Sequence, residues 1–290
     1  MGICCYSQTL ETETTCQMSD AHEENRYVNK VYVSEGGHGT LYKAYDKETK
    51  TLVSCKETPP AKRKNAERES NILKRFNSPV LPQFIDIAFG NDINCLYYKF
   101  IPGTDLFTHL FENDRTIAYN DVKILINKML YSLTELEKYN LVHLDIKFEN
   151  FIFTKSNNVL TLIDFEGAHD YHDNEFKALE TYVGTKSYTA PETWSGVYHK
   201  QSDIWSVGVC LWCMLTGQYP FDVDTLDKND KDTLQFIEKL FIFPQKIHLE
   251  KMNDLNFDEN LKDLLHRVFT FDAKSRIDIT NFKNHTWLKI

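Results

Sequence analysis

Two short hydrophobic runs, separated by a polar turn, lie in the middle of the chain. Residues 151–153 (Phe-Ile-Phe) and 159–163 (Val-Leu-Thr-Leu-Ile) are apolar, and Ser-Asn-Asn at 156–158 separates them. Short apolar runs divided by turn-forming residues are typical of a β-hairpin. A hairpin brings its two ends together, so we predict that polar residues just before the first run lie near those just after the second.

The polar residues that flank the hairpin are candidates for a binding site. Asp145, Lys147 and Asn150 precede the hairpin, and Asp164 follows it. Two carboxylates, an amide and an ammonium group in one place suit a hard cation such as Mg2+ and the phosphates that it carries. Any one of these residues alone is more often a surface charge, but their joint spacing favours a site.

A helical pattern earlier in the chain points to the same kind of site. From residue 61 to residue 76 the composition favours a helix, and Ala66, Leu73 and Phe76 share one face with Glu69. A carboxylate on a buried stripe needs a partner, and Lys56 is the candidate. The alternative is that Glu69 reaches past the stripe to solvent.

A glycine-rich turn precedes this helix. Residues 31–45 are typical of two strands joined by a turn that contains Gly36, Gly37 and Gly39. Glycines let backbone amides approach a phosphate without an intervening side chain. Taken alone, an ordinary hairpin turn explains the same pattern.

Together these segments resemble the eukaryotic protein kinases. Residues 143–150 and 164–165 resemble the H-R-D-x-K-x-x-N and D-F-G motifs. Residues 184–192 resemble the end of a kinase activation segment, and residues 203–209 resemble the D-x-W-S-x-G-V helix that anchors the catalytic loop. The match runs from about 27 to 288, and its details are most similar to the calcium/calmodulin-dependent and calcium-dependent serine/threonine kinases.

The resemblance implies an α+β, bilobal fold. We expect a small lobe over residues 27–98, an antiparallel β-sheet with one main helix, then a hinge at 99–102 and a larger, mainly helical lobe at 103–288. Residues 1–26 would form a flexible tail. Arg276 occupies the position of the family's arginine that pairs with the carboxylate corresponding to Glu192.

The resemblance also implies ATP and Mg2+ as cofactors and assigns roles to residues. Asp145 would accept the proton of a substrate hydroxyl, Lys147 would offset charge on the moving phosphoryl group, and Asn150 and Asp164 would bind Mg2+. Lys147 together with Thr185 favours serine and threonine as acceptors. The implied ATP-binding residues are Ser34, Glu35, Gly36, Gly37, His38, Gly39, Leu41, Lys56, Glu69, Lys99, Ile101 and Asp105.

Three departures from the family pattern leave two functions open. Leu144 replaces the arginine of H-R-D, Glu166 replaces the glycine of D-F-G, and Ser34 replaces the first glycine of the glycine-rich loop. The proton acceptor and both metal ligands remain, which favours an active enzyme. The alternative is a pseudokinase that binds nucleotide as a scaffold or regulatory module.

Composition and charge limit the classes of partner that the chain is expected to bind. The chain has 290 residues and a formal net charge of -9, which argues against nucleic acid as a partner. Protein substrates with Ser or Thr acceptors are expected, preferably with basic residues that Asp105 and Glu149 would face. We expect a monomer. Thr181 lies where many kinases carry an activating phosphate, but Leu144 offers that phosphate no charge.

The seven cysteines favour packing over redox or zinc chemistry. Cys210 and Cys213 form a C-x-x-C inside an apolar helical run, with no second C-x-x-C to complete a zinc site. Cys55 and Cys95 fall in segments with strand patterns, where we expect them to pack in the core. No secretory signal is visible, so a cytoplasmic protein with reduced thiols is expected.

The first residues suggest a lipid anchor. Gly2 is a candidate for myristate, and Cys4 and Cys5 are candidates for palmitate, although Tyr6 stands where the myristoylation pattern requires Ser or Thr. A single lipid binds a membrane only marginally. The two alternatives are attachment to the cytoplasmic face of a membrane and an unmodified polar tail.

We predict that membrane attachment depends on Cys4 and Cys5 more than on Gly2. A Cys4→Ser, Cys5→Ser double variant should move to the cytosolic fraction in cell fractionation, whereas Gly2→Ala should change the distribution less. A double variant that partitions like wild type would contradict anchoring at these cysteines.

Overall fold

The computed structural model describes residues 26–37, 39–111, 117–172, 174–221 and 257–289. The predicted acylation sites Gly2, Cys4 and Cys5, and the predicted phosphate-contacting residue His38, lie outside these ranges and stay predictions. Within the described ranges, every helix is too short or too polar to cross a membrane.

A five-stranded antiparallel sheet forms the small lobe. Its spatial order is β1-β2-β3-β5-β4, and helix α1 (Arg63–Leu73) packs against one face through Ile72 and Leu73. This confirms the predicted sheet with one main helix. The strands are β1 (Tyr27–Gly36), β2 (Gly39–Asp46), β3 (Thr51–Thr58), β4 (Phe84–Phe89) and β5 (Asn94–Lys99).

The opposite face of this sheet has a small core of its own. Tyr27 and Tyr97 stack with ring centroids 3.7 Å apart, and Cys55 and Cys95 are buried beside them, as predicted for packing cysteines. Arg26, assigned to the tail from the sequence, pairs with the buried carboxylate of Asp46 at 2.9 Å. The folded lobe therefore includes at least one residue before the predicted boundary.

Helices dominate the large lobe. Within it, strand β8 (Phe151–Thr154) pairs antiparallel with strand β9 (Val159–Leu162), with Phe151 opposite Leu162, so the predicted hairpin is present. Cys210 and Cys213 are buried in helix α5 (Ser202–Thr216), as expected. The elements are β6 (Thr104–Asp105), α2 (Leu106–Phe111), α3 (Tyr119–Glu137), β7 (Leu141–Val142), β8 (Phe151–Thr154), β9 (Val159–Leu162), β10 (His169–Asp170), β11 (Lys177–Ala178), α4 (Pro191–Trp194), β12 (Val197–Tyr198), α5 (Ser202–Thr216), α6 (Glu259–Val268) and α7 (Ile279–Lys283).

A buried ion pair joins distant parts of this lobe. The guanidinium of Arg276 donates to both carboxylate oxygens of Glu192, at 2.8 and 2.9 Å, and also to the backbone oxygen of Gln201. Burial alone would raise the pKa of Glu192, but the charge of Arg276 and the hydrogen bonds from Arg276 and Ser202 together outweigh burial and lower that pKa below its usual range. The pair expected from the family resemblance is therefore formed.

We predict that Arg276→Met destabilises the large lobe by about 3–5 kcal/mol, because it leaves the Glu192 carboxylate buried without a partner. The matched control is Arg267→Met, which removes an exposed pair with Asp263 and should cost less than about 1 kcal/mol. All four tryptophans lie in the large lobe, so their fluorescence in urea reports its unfolding. Equal losses of unfolding free energy in the two variants would contradict the prediction.

Candidate active site

A cavity between the two lobes brings the predicted segments together. The glycine-rich hairpin of β1 and β2 borders one side of it, and the catalytic loop (residues 143–150) with the residues that follow β9 borders the other. Its polar lining includes Lys56, Glu69, Lys147, Asn150 and Asp164. Residues separated by more than a hundred positions thus share one site.

Lys56 lies at the centre of the cavity's charged groups. Its Nζ donates to Glu69 Oε2 at 2.9 Å and to Asp164 Oδ1 at 2.8 Å, and its side chain is only 10% exposed. Burial opposes the charge on Lys56, but these carboxylates raise its pKa above its ordinary value. Burial also raises the pKa of Glu69, although Lys56 counteracts it. The predicted pairing of Lys56 with Glu69 is present, and the solvent-exposed alternative is wrong.

Glu69 also fixes the segment that follows β9. Its second oxygen accepts a hydrogen bond from the backbone N–H of Phe165 at 3.2 Å. The Phe165 ring contacts Phe76, with centroids 4.8 Å apart, and His143, with centroids 4.9 Å apart. One carboxylate on α1 therefore positions the chain immediately after Asp164.

Asp145 is buried and held by three polar partners. Its Oδ1 accepts from the Thr185 hydroxyl at 2.7 Å, and its Oδ2 accepts from Asn150 Nδ2 at 3.0 Å and lies 3.0 Å from Lys147 Nζ. Lys147 also donates to the Thr185 hydroxyl at 2.9 Å. Because the Asp145 carboxylate accepts a hydrogen bond from the Thr185 hydroxyl, it is positioned to accept one from an O–H group.

The N-terminal turn of α5 supports the catalytic loop. The buried carboxylate of Asp203 accepts hydrogen bonds from the backbone N–H groups of His143 and Leu144, at 2.7 and 2.8 Å. Burial raises the pKa of Asp203, although its hydrogen bonds counteract this. Leu144 adopts a φ of 64°, which is uncommon for a residue with a side chain. These two bonds stabilise the turn that presents Asp145.

Leu144 is packed in an apolar cluster. It is 5% exposed and lies with Val142, Tyr171 and Tyr198, and the partly buried Leu179 and Val183 pack against them. Leu179 and Val183 flank Thr181, which is exposed. Leu144 stands where the family has an arginine, and it holds the segment around Thr181 by apolar contacts.

Glu166 lies inside the site and links three elements. Its Oε1 accepts from Asn65 Nδ2 at 3.1 Å and lies 3.5 Å from Lys62 Nζ, while its Oε2 lies 3.6 Å from Lys56 Nζ. Lys62 in turn donates to the backbone oxygen of Gly37 at 2.6 Å. The side chain that replaces the family's glycine therefore connects the start of α1 and the glycine-rich turn to the segment after β9.

The predicted ATP-binding residues do not all reach this cavity. Ser34, Glu35, Gly36, Gly37, Gly39 and Leu41 line it, together with apolar Pro82 and Ile163, which the sequence did not single out. Lys99 and Ile101 instead border a separate cavity beside Asn77 and Thr161.

Asp105 has a structural contact: its Oδ1 accepts the backbone N–H of Thr108 at 2.9 Å, at the start of α2. The nucleotide-binding roles of Lys99, Ile101 and Asp105 stay predictions.

The donor set fits a magnesium ion. Asn150 and Asp164, the predicted ligands, both line the cavity. Oxygens of Glu69, Asp164 and Glu166 lie within 4.8 Å of one another. Carboxylate and amide oxygens are what Mg2+ prefers, and the two ammonium groups of Lys56 and Lys62 do not fully neutralise three carboxylates. A cation would therefore be stabilised here.

The chain belongs to the protein kinase family, because residues 27–288 match the family described as the protein kinase domain. It is 28% identical over 282 residues to Calcium-dependent protein kinase 5 of Plasmodium berghei (strain Anka), covering 95% of this chain and 48% of that protein. It is 26% identical over 272 residues to Myosin light chain kinase A of Dictyostelium discoideum, covering 92% of this chain and 89% of that protein.

These relatives confirm the predicted resemblance to calcium-dependent and calmodulin-dependent kinases. A third relative, Calcium-dependent protein kinase 5 of Plasmodium falciparum (isolate 3D7), is 29% identical over 280 residues, 94% of this chain and 46% of that protein. The chain spans about half the length of these calcium-dependent relatives.

We predict that Glu166→Ala loosens helix α1, because it removes the charged contacts to Lys62 and Asn65. Losing one such contact corresponds to about ten-fold faster amide hydrogen exchange in residues 63–73, measured by mass spectrometry. The matched control is Glu180→Ala, which removes an exposed carboxylate from the same segment and should leave α1 unchanged. Identical exchange in both variants would show that Glu166 does not hold the helix.

Proposed function

We propose that this protein is a magnesium-dependent protein kinase that transfers the γ-phosphoryl group of ATP to Ser or Thr side chains. The arrangement around Asp145 carries the proposal: its buried carboxylate contacts Lys147, Asn150 and the hydroxyl of Thr185 within 3.0 Å. Membership of the protein kinase family supports it.

Each residue has a role that its contacts support. Asp145 accepts the hydroxyl proton of the substrate and orients its oxygen, while Lys147, beside it, offsets negative charge on the moving phosphoryl group. Lys56, held by Glu69, contacts the inner phosphates. Mg2+, when bound by Asn150 and Asp164, neutralises phosphate charge. Catalysis of this kind is mostly positioning and electrostatic stabilisation.

Substrate preference follows from surface charge. Glu149 is an exposed residue of the catalytic loop, Asp105 lies at the start of α2, and the chain carries a net charge of -9. We propose that basic residues before the acceptor are preferred, because they would be attracted to these carboxylates. A cytoplasmic monomer, with lipid attachment through the N-terminal cysteines, completes the proposal.

One observation favours a second candidate, a pseudokinase that binds nucleotide without efficient transfer. The Glu166 carboxylate lies 3.6 Å from Lys56 Nζ, where it competes with nucleotide phosphates for that ammonium. Lys56, Asp145, Asn150 and Asp164 are all retained, which supports the enzyme over this alternative.

We predict that Asp145→Asn lowers phosphoryl transfer by about a hundred-fold or more, since an amide cannot accept the proton. ATP affinity should change little, because Asp145 lies outside the set that holds the phosphates. Transfer of labelled phosphate from ATP to a mixed peptide library measures the rate, and the acceptor sequences report any preference for basic residues.

Asp263→Asn, the same change at a distant exposed site, is the control and should retain wild-type activity. Absence of transfer by wild type, with ATP still bound, would support the pseudokinase. Equal transfer by wild type and Asp145→Asn would contradict the role of Asp145.

We predict that Thr181→Ala and phosphatase-treated wild type both retain activity within about two-fold of untreated wild type. A phosphate on Thr181 would have no arginine beside Asp145 to pair with, and Leu144 instead holds the segment by apolar contacts. The rate of peptide phosphorylation is the measurement. A ten-fold loss in the variant, matched by dephosphorylated wild type, would show that a phosphate switch operates.

A further inference from the structure

The small lobe carries a second cluster of metal-ligating side chains, on the sheet face opposite Lys56. Cys55 and Glu57 are two residues apart on β3, so they share a face, and Cys95 on β5 is the cross-strand partner of Glu57. The three offer two sulfurs and a carboxylate oxygen within 4.8 Å of one another. All three are buried, at 0%, 6% and 2% exposure.

A lysine closes this cluster toward solvent. Lys30 on β1 donates to Glu57 Oε1, and its ammonium lies 5.1 Å from the centre of the Tyr42 ring. The Lys30 side chain is 24% exposed, so it marks the route from solvent to the cluster. The stacked rings of Tyr27 and Tyr97 belong to the core that surrounds the two cysteines.

We propose that Cys55, Glu57 and Cys95 form a binding site for a thiophilic divalent cation of the zinc class. A tetrahedral Zn2+ with Zn–S bonds of about 2.3 Å holds two sulfurs about 3.8 Å apart. The two sulfurs therefore have to approach each other by at most about 1 Å, within the reach of side-chain rotation. The fourth position faces Lys30 and solvent, where a water molecule completes the tetrahedron.

The charges balance without any redox step. Each thiol loses its proton to solvent as its S–H bond is replaced by a sulfur–metal bond. Two thiolates, the Glu57 carboxylate and a divalent cation sum to one negative charge, which the Lys30 ammonium neutralises. Burial and the contact with Cys95 raise the pKa of Cys55, so without metal the Cys55 thiol is protonated.

Ligand chemistry separates this site from the active site. Glu69, Asp164 and Glu166 supply only oxygen atoms, which suit Mg2+, whereas thiolates select softer cations. Cys55 and Glu57 flank Lys56 in sequence. A metal at this site would join β3 to β5 and stabilise the strand that carries Lys56, independently of the proposed phosphoryl transfer.

The test uses the full chain, stripped with a chelator, kept reduced and supplied with excess Mg2+ to fill the oxygen site. Zn2+ is titrated in competition with a chromophoric chelator, and Co2+ is added separately, because thiolate ligation of cobalt gives a near-ultraviolet charge-transfer band. We expect about one equivalent of Zn2+ and that band in wild type. Circular dichroism confirms that each variant is folded.

Cys55→Ala with Cys95→Ala should abolish both signals. Glu57→Gln keeps the shape of the side chain and should weaken Zn2+ binding by about ten-fold or more while retaining the band. The matched control, Cys213→Ala, removes a buried thiol from the other lobe and should change neither.

Three results would each overturn the proposal: wild type that binds no Zn2+, binding that survives in the double variant, or bound Co2+ without a thiolate band. If the double variant does not fold, Glu57→Gln and the wild-type cobalt spectrum decide the question alone. Unchanged affinity in Glu57→Gln would remove the carboxylate from the site.

Discussion

The ammonium group of Lys56 connects the two lobes of this protein. It donates at once to Glu69 on helix α1 and to Asp164 after β9, and Glu69 also holds the backbone of Phe165. A buried charge without its partner is strongly destabilising, so none of these groups can move without disturbing the others. The positions of α1, of the predicted metal ligand Asp164 and of the catalytic loop are therefore set together.

The two main departures from the family pattern stabilise this same arrangement. Leu144 stands in place of the family's arginine and packs against Val142, Tyr171 and Tyr198. Unlike the charge of an arginine, this apolar packing does not require a phosphate as its partner. Glu166 adds contacts to Asn65 and Lys62 at the start of α1. Both changes favour the assembled site in the unmodified chain, in keeping with the prediction that activity does not depend on a phosphate at Thr181.

Local patterns in the sequence predicted much of the site. The hairpin of β8 and β9 followed from two apolar runs and a turn, and the Lys56–Glu69 pair followed from one carboxylate on a buried helical stripe. The family resemblance supplied the pairing of Arg276 with Glu192. In each case a residue's own surroundings, or a known motif, indicated its partner.

Other features required three-dimensional contacts that no local pattern contains. The neighbours of Leu144 come from several separate segments, and Glu166 meets a lysine and an asparagine about a hundred residues away. Cys55 and Cys95 were predicted to pack in the core, but their proximity to Glu57 depends on the register of β3 and β5. The separate cavity that Lys99 and Ile101 border was equally invisible in the sequence.

The charge at the centre of the site makes the account testable. Glu69, Asp164 and Glu166 place three carboxylates against two ammonium groups, those of Lys56 and Lys62, so nucleotide phosphates meet an excess of negative charge unless a cation accompanies them. The decisive measurement is the dissociation constant of ATP with and without Mg2+, by calorimetry on the full chain. The account predicts binding about ten-fold or more tighter with Mg2+, and loss of that difference in Asp164→Asn. Equal affinity with and without Mg2+ in wild type would contradict it.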